Sequence, residues 1–392
     1  MHIRQTGTVW LWALIGVALA GLWQTLTVHG NFEGNWTALY CTSDQHPVPP
    51  ELARGTYIFL NSGGYDGQWY RYVAHDPLLR SDLHTYIDAP PLRYRRILVP
   101  ALASLLAAGQ KSAIDATYIA VILAFVCAGC YWCGMWALRH GRYPAWGLLF
   151  LAVPGTLISL DRLTVDVALA ALAAGAVVYW DAGKLLPCYL CLAAACLARE
   201  TGVLLVGGWM AALALQKRWR ALVAFTTAML PAVAWFLYVR SSLPQAPREQ
   251  SIPSWLFHWD SGLVGRLVDP VRYGFTEPLE TAVRAMDSIA LAGMIVALAL
   301  TAVVLARQWH AAPALAAGMH LALFAIVNLK GFWDNVYGYA RPFSALIVLT
   351  ALSLPVSGRL WLAMVVAASA MDLRVLVQLG PQALGIWRHW LG

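Results

Sequence analysis

Charged side chains are scarce in this sequence. They make up 12% of its 392 residues, while 60% are hydrophobic; an ordinary soluble domain carries roughly 25% charged residues. So few polar groups cannot furnish a soluble exterior, so lipid must be the solvent for much of the chain. The sequence describes an integral membrane protein. Other absences narrow the function. There is no Walker loop and no dinucleotide fingerprint, which argues against an ATP-driven pump and a Rossmann enzyme. The histidines are scattered, and no His-x-x-x-His or Asp-x-Asp pair suggests a metal site. No internal repeat is found, and no sign of broken helices, whereas transporters of this size often show both.

Six of the seven cysteines lie in apolar runs: Cys127, Cys130, Cys133, Cys188, Cys191 and Cys196. Their Cys-x-x-Cys spacings invite a metal or redox reading. On a helix inside lipid the simpler reading is small packing residues. Cys41 alone falls in a polar loop, so no disulfide framework is expected.

The charge that is present is basic, with a formal net charge of +7. It sits in short clusters between apolar runs, such as Lys217-Arg218-Trp219-Arg220, where orientation by positive charge explains it better than nucleic acid does. No nucleic-acid partner is expected. The 19 Trp and 16 Tyr fall largely near segment ends, as interfacial anchoring requires.

Residues 8–28 form the first span, with the N-terminus cytoplasmic and no small-residue cleavage site after it. The longest polar stretch, 29–96, follows as a first outer loop. Its second half reads as short helices along the membrane surface. Asp66 can cap a helix over 67–74 that puts Trp69, Tyr72 and Val73 on one face. Asp76-Pro77 can start another, and Asp88-Ala-Pro-Pro91 turns the chain back. Apolar segments then cover 97–110, 114–137, 144–160, 164–182, 184–198, 201–216, 219–239, 287–307, 313–329, 339–355 and 359–372. A second outer loop, 240–286, holds Trp255, His258, Trp259, Asp260, Asp269 and Glu277. The expectation is an all-α, polytopic transmembrane bundle of roughly 10–12 spans, forming one integral membrane domain over residues 1–392. Counting back from the basic cluster at 217–220 puts Asp161-Arg162 and Arg199-Glu200 on the outer side. The same count yields one crossing too many: either a short segment such as 97–110 fails to cross fully, or a charge cluster breaks the rule.

The chemistry-bearing residues gather in the first loop: Tyr65-Asp66-Gly67-Gln68-Trp69-Tyr70, then Asp76-Pro77, then Tyr94-Arg95-Arg96-Ile97-Leu98-Val99-Pro100. This pattern, over about 40 residues, resembles a family of bacterial inner-membrane proteins implicated in making cell-surface glycopolymers. More distantly it is similar to the GT-C superfamily of polyprenyl-phosphate-sugar-dependent glycosyltransferases. Among these, the mannosyltransferases of GPI-anchor synthesis carry a similar Asp-Gly pair in the first non-cytoplasmic loop. The resemblance implies a GT-C-like fold, a multi-pass protein of the bacterial cytoplasmic membrane, and an outward-facing active site. It further implies a polyprenyl-phosphate-linked sugar donor, a glycan or glycolipid acceptor, inverting transfer, and Asp66 as the catalytic carboxylate. No cofactor is implied, though a divalent cation could be accommodated.

Elementary chemistry is compatible with that. A sugar hydroxyl attacks an anomeric carbon well only if a base takes its proton. The leaving phosphate is already a stable anion, so the second carboxyl group of glycoside hydrolysis is not required. The phosphate needs cationic donors, for which the planar fork of arginine is suited; Arg93, Arg95, Arg96 and Arg341 are candidates. Tyr65, Gln68, Trp69 and Tyr70 would flank the substrate, with aromatic faces against a sugar ring or the lipid path. Each residue also has a bland role: Asp66 and Asp76 as helix caps, Asp88 as a turn residue, the arginines at headgroups, the aromatics as interface anchors. Asp161, Arg162, Asp166, Arg199 and Glu200 interrupt apolar runs. Ionisable groups near membrane depth usually face a partner or a wet cavity, so these are expected to line a cavity below Asp66. Two other classes remain open, a lipid-linked glycan flippase or transporter and a glycan polymerase or ligase.

Overall fold

The computed structural model describes residues 2–244, 262–269, 271–327, 330–355 and 358–391. The chain is all-helical, with 78% helix and 1% strand. Among the described residues, five helices are long and apolar enough to cross a membrane: Thr6–Asn31, Lys111–Arg139, Trp219–Ser242, Glu277–Arg307 and Arg359–Trp390. A sixth crossing exists if Pro144–Ala152 and Pro154–Arg162 count as one span bent by 65°. The bend falls at Val153-Pro154, where proline supplies no N–H to continue the ladder and the first limb is wound as a tighter 3₁₀ helix. A broken helix is therefore present, contrary to the expectation from sequence.

Among the described residues these crossings are fewer than the expected 10–12 spans. Leu185–Ala198, Gly202–Leu215, Ala312–Ile326 and Ser344–Ser353 are apolar but short. Leu98–Leu106 has nine residues, about 14 Å at 1.5 Å per residue. It turns back through Ala108 and Gly109, both at positive φ, and Thr117 Oγ1 donates to Ala103 O at 2.8 Å. The Asp166–Asp181 helix is short for a different reason. It is buried continuously from Asp166 to Val178, so protein rather than lipid surrounds it and bilayer thickness does not fix its length. Its small residues admit close neighbours: a side chain at Gly175 would collide with Trp132 and Cys191. All seven cysteines are free, five of them buried.

Contacts at the helix ends sort the bundle into two ends. At one, Asp166 meets Arg199 and Arg341. At the other, Arg139 Nη1 donates to Val178 O and Arg218 lies over the ring of Trp180. The first polar loop covers the former end. It contains the 3₁₀ turn Trp36–Tyr40, a parallel pair of two-residue strands (Thr42–Ser43 with Ile58–Phe59), the Asp66–His75 helix, the 3₁₀ turn Asp82–Tyr86 and the Pro90–Arg95 helix. Trp69, Tyr72 and Val73 share one buried cluster, as their spacing suggested.

Two helix-start expectations fail here. Asp66 is not a cap; Tyr65 is, in extended backbone, and Asp66 is the first helical residue. Asp76 ends that helix instead of starting another. Its carboxylate accepts the N–H of Arg80 and Ser81, each at 2.8 Å, and closes a turn. In the second loop, Trp255, His258, Trp259 and Asp260 lie outside the described residues. Glu277 opens a helix that runs to Arg307, so the loop ends ten residues earlier than hydropathy indicated.

Candidate active site

The site is built on two helix starts. Asp66 opens Asp66–His75 and Asp166 opens Asp166–Asp181; a carboxylate in either place is favoured by the unpaired N–H groups and the helix dipole. Gly67 explains the Asp-Gly pair. A Cβ there would run into the carbonyl oxygens of Arg162 and Tyr40, so only glycine lets this helix start abut the end of the bent segment. Gly64, at φ +69°, turns the chain into the helix beside Cys41 O and Ser43.

Arg341 joins the two carboxylates. Its Nη2 is 2.7 Å from Asp66 Oδ2 and its Nε 2.8 Å from Asp166 Oδ2, while Nη1 donates to the Tyr65 hydroxyl at 2.8 Å. The Tyr65 hydroxyl donates in turn to Tyr337 O at 3.0 Å. Arg93 approaches Asp66 Oδ2 from the other side, at 2.9 Å from Nη1, and is gripped by Asp88 through Nε and Nη2 at 2.9 and 2.7 Å. Arg199 closes on the second oxygen of Asp166. Asp166 is fully buried, whereas the Asp66 side chain is 23% exposed. Asp66 and Asp88, whose side chains are 23% and 34% exposed, are therefore the members through which this buried charge network reaches the surface.

Burial alone would raise the Asp66 carboxyl. The guanidiniums of Arg341 and Arg93 outweigh that and hold it well below the usual carboxylate range. Burial pushes the Tyr65 hydroxyl up, so it stays protonated as a donor. A carboxylate so held is a weak base. It becomes a useful one only when something else takes its guanidinium partners.

Of the residues singled out from sequence, the structure brings Asp66, Tyr65, Asp88, Arg93, Asp166, Arg199 and Arg341 into this network. Arg96 and Glu200 form an adjoining branch, paired at 2.8 and 2.5 Å, with Arg96 Nη1 donating to the Tyr70 hydroxyl at 2.8 Å. Tyr70 is fully buried, and Arg93 lies over its ring. Asp161 and Arg162 pair with each other at 2.9 Å, and Asp161 also accepts from Gln382 at 2.8 Å. Four expected substrate contacts do not reach the site. Gln68 uses Oε1 to accept the Ser43 N–H at 3.0 Å. Trp69 is buried between His46 and Tyr72, with no face open to a sugar or to lipid. Asp76 is consumed by its turn. Arg95 stacks on Phe236, 3.9 Å from the ring centroid.

No protein-family profile, curated protein or solved structure matches this chain. Its site must be read from its own residues.

Sequence reasoning missed two features. Tyr337 carries the carbonyl that orients Tyr65, and its ring meets that of Tyr65 edge-on. A second buried cluster joins Asp287, Arg374, Arg266 and Tyr273. Its signal was there, since Asp287 and Arg374 are ionisable groups inside long apolar helices. Hydropathy opened one segment at Asp287 and closed the other at Asp372, two residues short of Arg374, and so hid them. Among the described residues, no group of three or more His, Cys, Asp or Glu is arranged to hold a metal ion. An apolar cavity of about 120 Å³, lined by Trp136, Trp146, Phe150 and Trp361, lies near the Arg139 end of its helix and includes none of these ionic residues.

Proposed function

We propose that the protein is an inverting membrane glycosyltransferase of GT-C type, acting at the outer face of a bacterial cytoplasmic membrane. Its donor is a sugar on a polyprenyl phosphate, and its acceptor a cell-surface glycan or glycolipid. The observation that carries this reading is Asp66: a partly exposed carboxylate at the edge of a buried network, held by two arginines that each keep a second anchor. Arg93 is held by Asp88 and Arg341 by Asp166, so both guanidiniums stay in place when their bonds to Asp66 are exchanged for a phosphate.

The exchange supplies the mechanism. Donor phosphate takes the Arg93 and Arg341 donors, in the bidentate geometry arginine offers. Asp66 loses its hydrogen bonds to the two guanidiniums, the phosphate's negative charge offsets theirs, and its basicity rises as substrate arrives. The acceptor hydroxyl then attacks the anomeric carbon. Its oxygen forms the new bond while the carbon–oxygen bond to phosphate breaks, the electron pair leaves on phosphate, and the proton goes to Asp66. The two arginines stabilise the charge gathering on the leaving group.

The test is sugar transfer in vesicles reconstituted with the full chain and supplied with a radiolabelled lipid-phosphate sugar. Asp66→Asn is expected to abolish transfer while donor binding persists. Undiminished transfer by that variant overturns the assignment of Asp66.

A second reading, a lipid-linked glycan flippase, is favoured by the 65° break in 144–162, which carries Asp161 and Arg162 on its second limb. Discontinuous helices of this kind border substrate sites in transporters. Translocated but unmodified lipid-linked glycan in wild-type vesicles would support it over transfer.

A further inference from the structure

The second buried ionic cluster plays no part in the transfer chemistry above. Glu277–Arg307 carries Asp287, Arg359–Leu391 carries Arg374, and Leu263–Val268 carries Arg266. Arg374 Nε is 2.8 Å from Asp287 Oδ1, and the Tyr273 hydroxyl donates to Oδ2 at 2.6 Å. That is enough to neutralise and orient one carboxylate. A second guanidinium nevertheless faces it: Arg266 Nη2 stands 3.8 Å from Oδ2, an ion-pair separation too long for a hydrogen bond. Both arginines and Asp287 are buried. A buried guanidinium without close hydrogen-bonded compensation is costly, and such groups near membrane depth usually mark a ligand.

An independent observation points the same way. The Tyr339 hydroxyl is buried with no hydrogen-bond partner among the described residues, on a side chain 1% exposed. It lies within electrostatic range of Asp287, Arg266 and Arg374. A buried phenolic O–H without a partner thus lies in the same neighbourhood as a guanidinium without a close one, and donors of these two types are what a tetrahedral oxyanion takes. The surroundings indicate how that anion is carried. The two long helices that carry Asp287 and Arg374 also present exposed apolar side chains, among them Ile289 and Leu376. They offer a surface for acyl or isoprenoid chains, whereas a free inorganic ion has no use for it.

We propose that Arg266, Arg374 and Tyr339, over Asp287, form a second anion site that holds the phosphate headgroup of a lipid. The site is separate from Asp66 and does not depend on the transfer reading.

The experiment titrates the full chain in detergent micelles by calorimetry with dodecyl phosphate and, in parallel, with inorganic phosphate. Wild type is expected to bind two equivalents of dodecyl phosphate. Arg93→Gln should remove one of them, and Arg266→Gln should weaken the other at least about tenfold, the loss of one charge-assisted contact. The double variant Arg374→Gln/Asp287→Asn removes a cation and its carboxylate together, which avoids stranding a buried charge, and should give the same loss. Arg266→Lys should retain most of the binding. Dodecyl phosphate binding that neither Arg266→Gln nor the double variant weakens, whatever the number of sites in wild type, overturns the proposal. Equal affinity for inorganic phosphate at the second site overturns its assignment to lipid.

Discussion

Replacing Asp66 with asparagine should tighten phosphate binding while ending catalysis. In the resting protein, Asp66 Oδ2 occupies donors of both arginines, at 2.7 Å from Arg341 and 2.9 Å from Arg93. An arriving phosphate must displace it. A hydrogen bond to a charged group is worth about 1.5–3 kcal/mol net, and the two share one oxygen of a side chain 23% exposed, which lowers the sum. Asparagine can still accept one of the bonds, but without charge. The competition removed is then about 1.4–2.8 kcal/mol, or roughly ten- to a hundredfold in affinity. The arginines do not collapse, because Asp88 and Asp166 continue to hold them. Calorimetry with inorganic phosphate on the purified full chain, wild type against Asp66→Asn, measures the difference, and the vesicle assay reports transfer on the same preparations. Phosphate binding that is unchanged or weaker in Asp66→Asn would show that Asp66 does not compete with the anion. The substrate-coupled rise in basicity would then have no foundation.

Arg341→Lys keeps the positive charge but cannot reach Asp66, Asp166 and the Tyr65 hydroxyl at once, so transfer should fall at least about tenfold, with expression and folding checked by thermal unfolding. Gly67→Ala forces a methyl group against the carbonyls of Arg162 and Tyr40; it should lower stability by about 1–3 kcal/mol, read as a reduced unfolding temperature in micelles. For pH, Asp66 is lowered from its ordinary value of 3.8, so its stabilising contribution is complete above that value and lost as pH falls through the folded one. The difference in unfolding temperature between wild type and Asp66→Asn should accordingly hold steady from about pH 8 to 5 and begin to shrink below about pH 4.

Composition and hydropathy were sufficient to read a helical membrane protein, because scarcity of charge leaves a chain no solvent but lipid and leaves its backbone no open alternative to helix. The pairing of Asp66 with a following glycine was legible too, although its reason was not. Gly67 serves a contact with Arg162, 95 residues later, and no local rule of turns or caps contains that. Asp76 shows the opposite failure. Asp-Pro is a sound local signal for a helix start, yet the preceding helix runs into it and its carboxylate closes a turn. Trp69 and Gln68 looked like ligands because they stand beside Asp66 in sequence, but successive helical residues point in different directions, and these two point inward.

What the sequence determined by itself was which residues are too polar to face lipid. Which of them meet was decided by tertiary structure alone. Asp66, Asp166 and Arg341 are separated by as many as 275 residues, and a single guanidinium joins them because the Asp66–His75 and Asp166–Asp181 helices start at the same end of the bundle. The span count was decided there as well, since a helix enclosed by protein, such as Asp166–Asp181, owes its length to its neighbours rather than to the bilayer. Asp287 and Arg374 make the same point. Each looks like the edge of an apolar run until the fold places them 2.8 Å apart in the interior, where burial without a partner would be costly and burial with one defines a site.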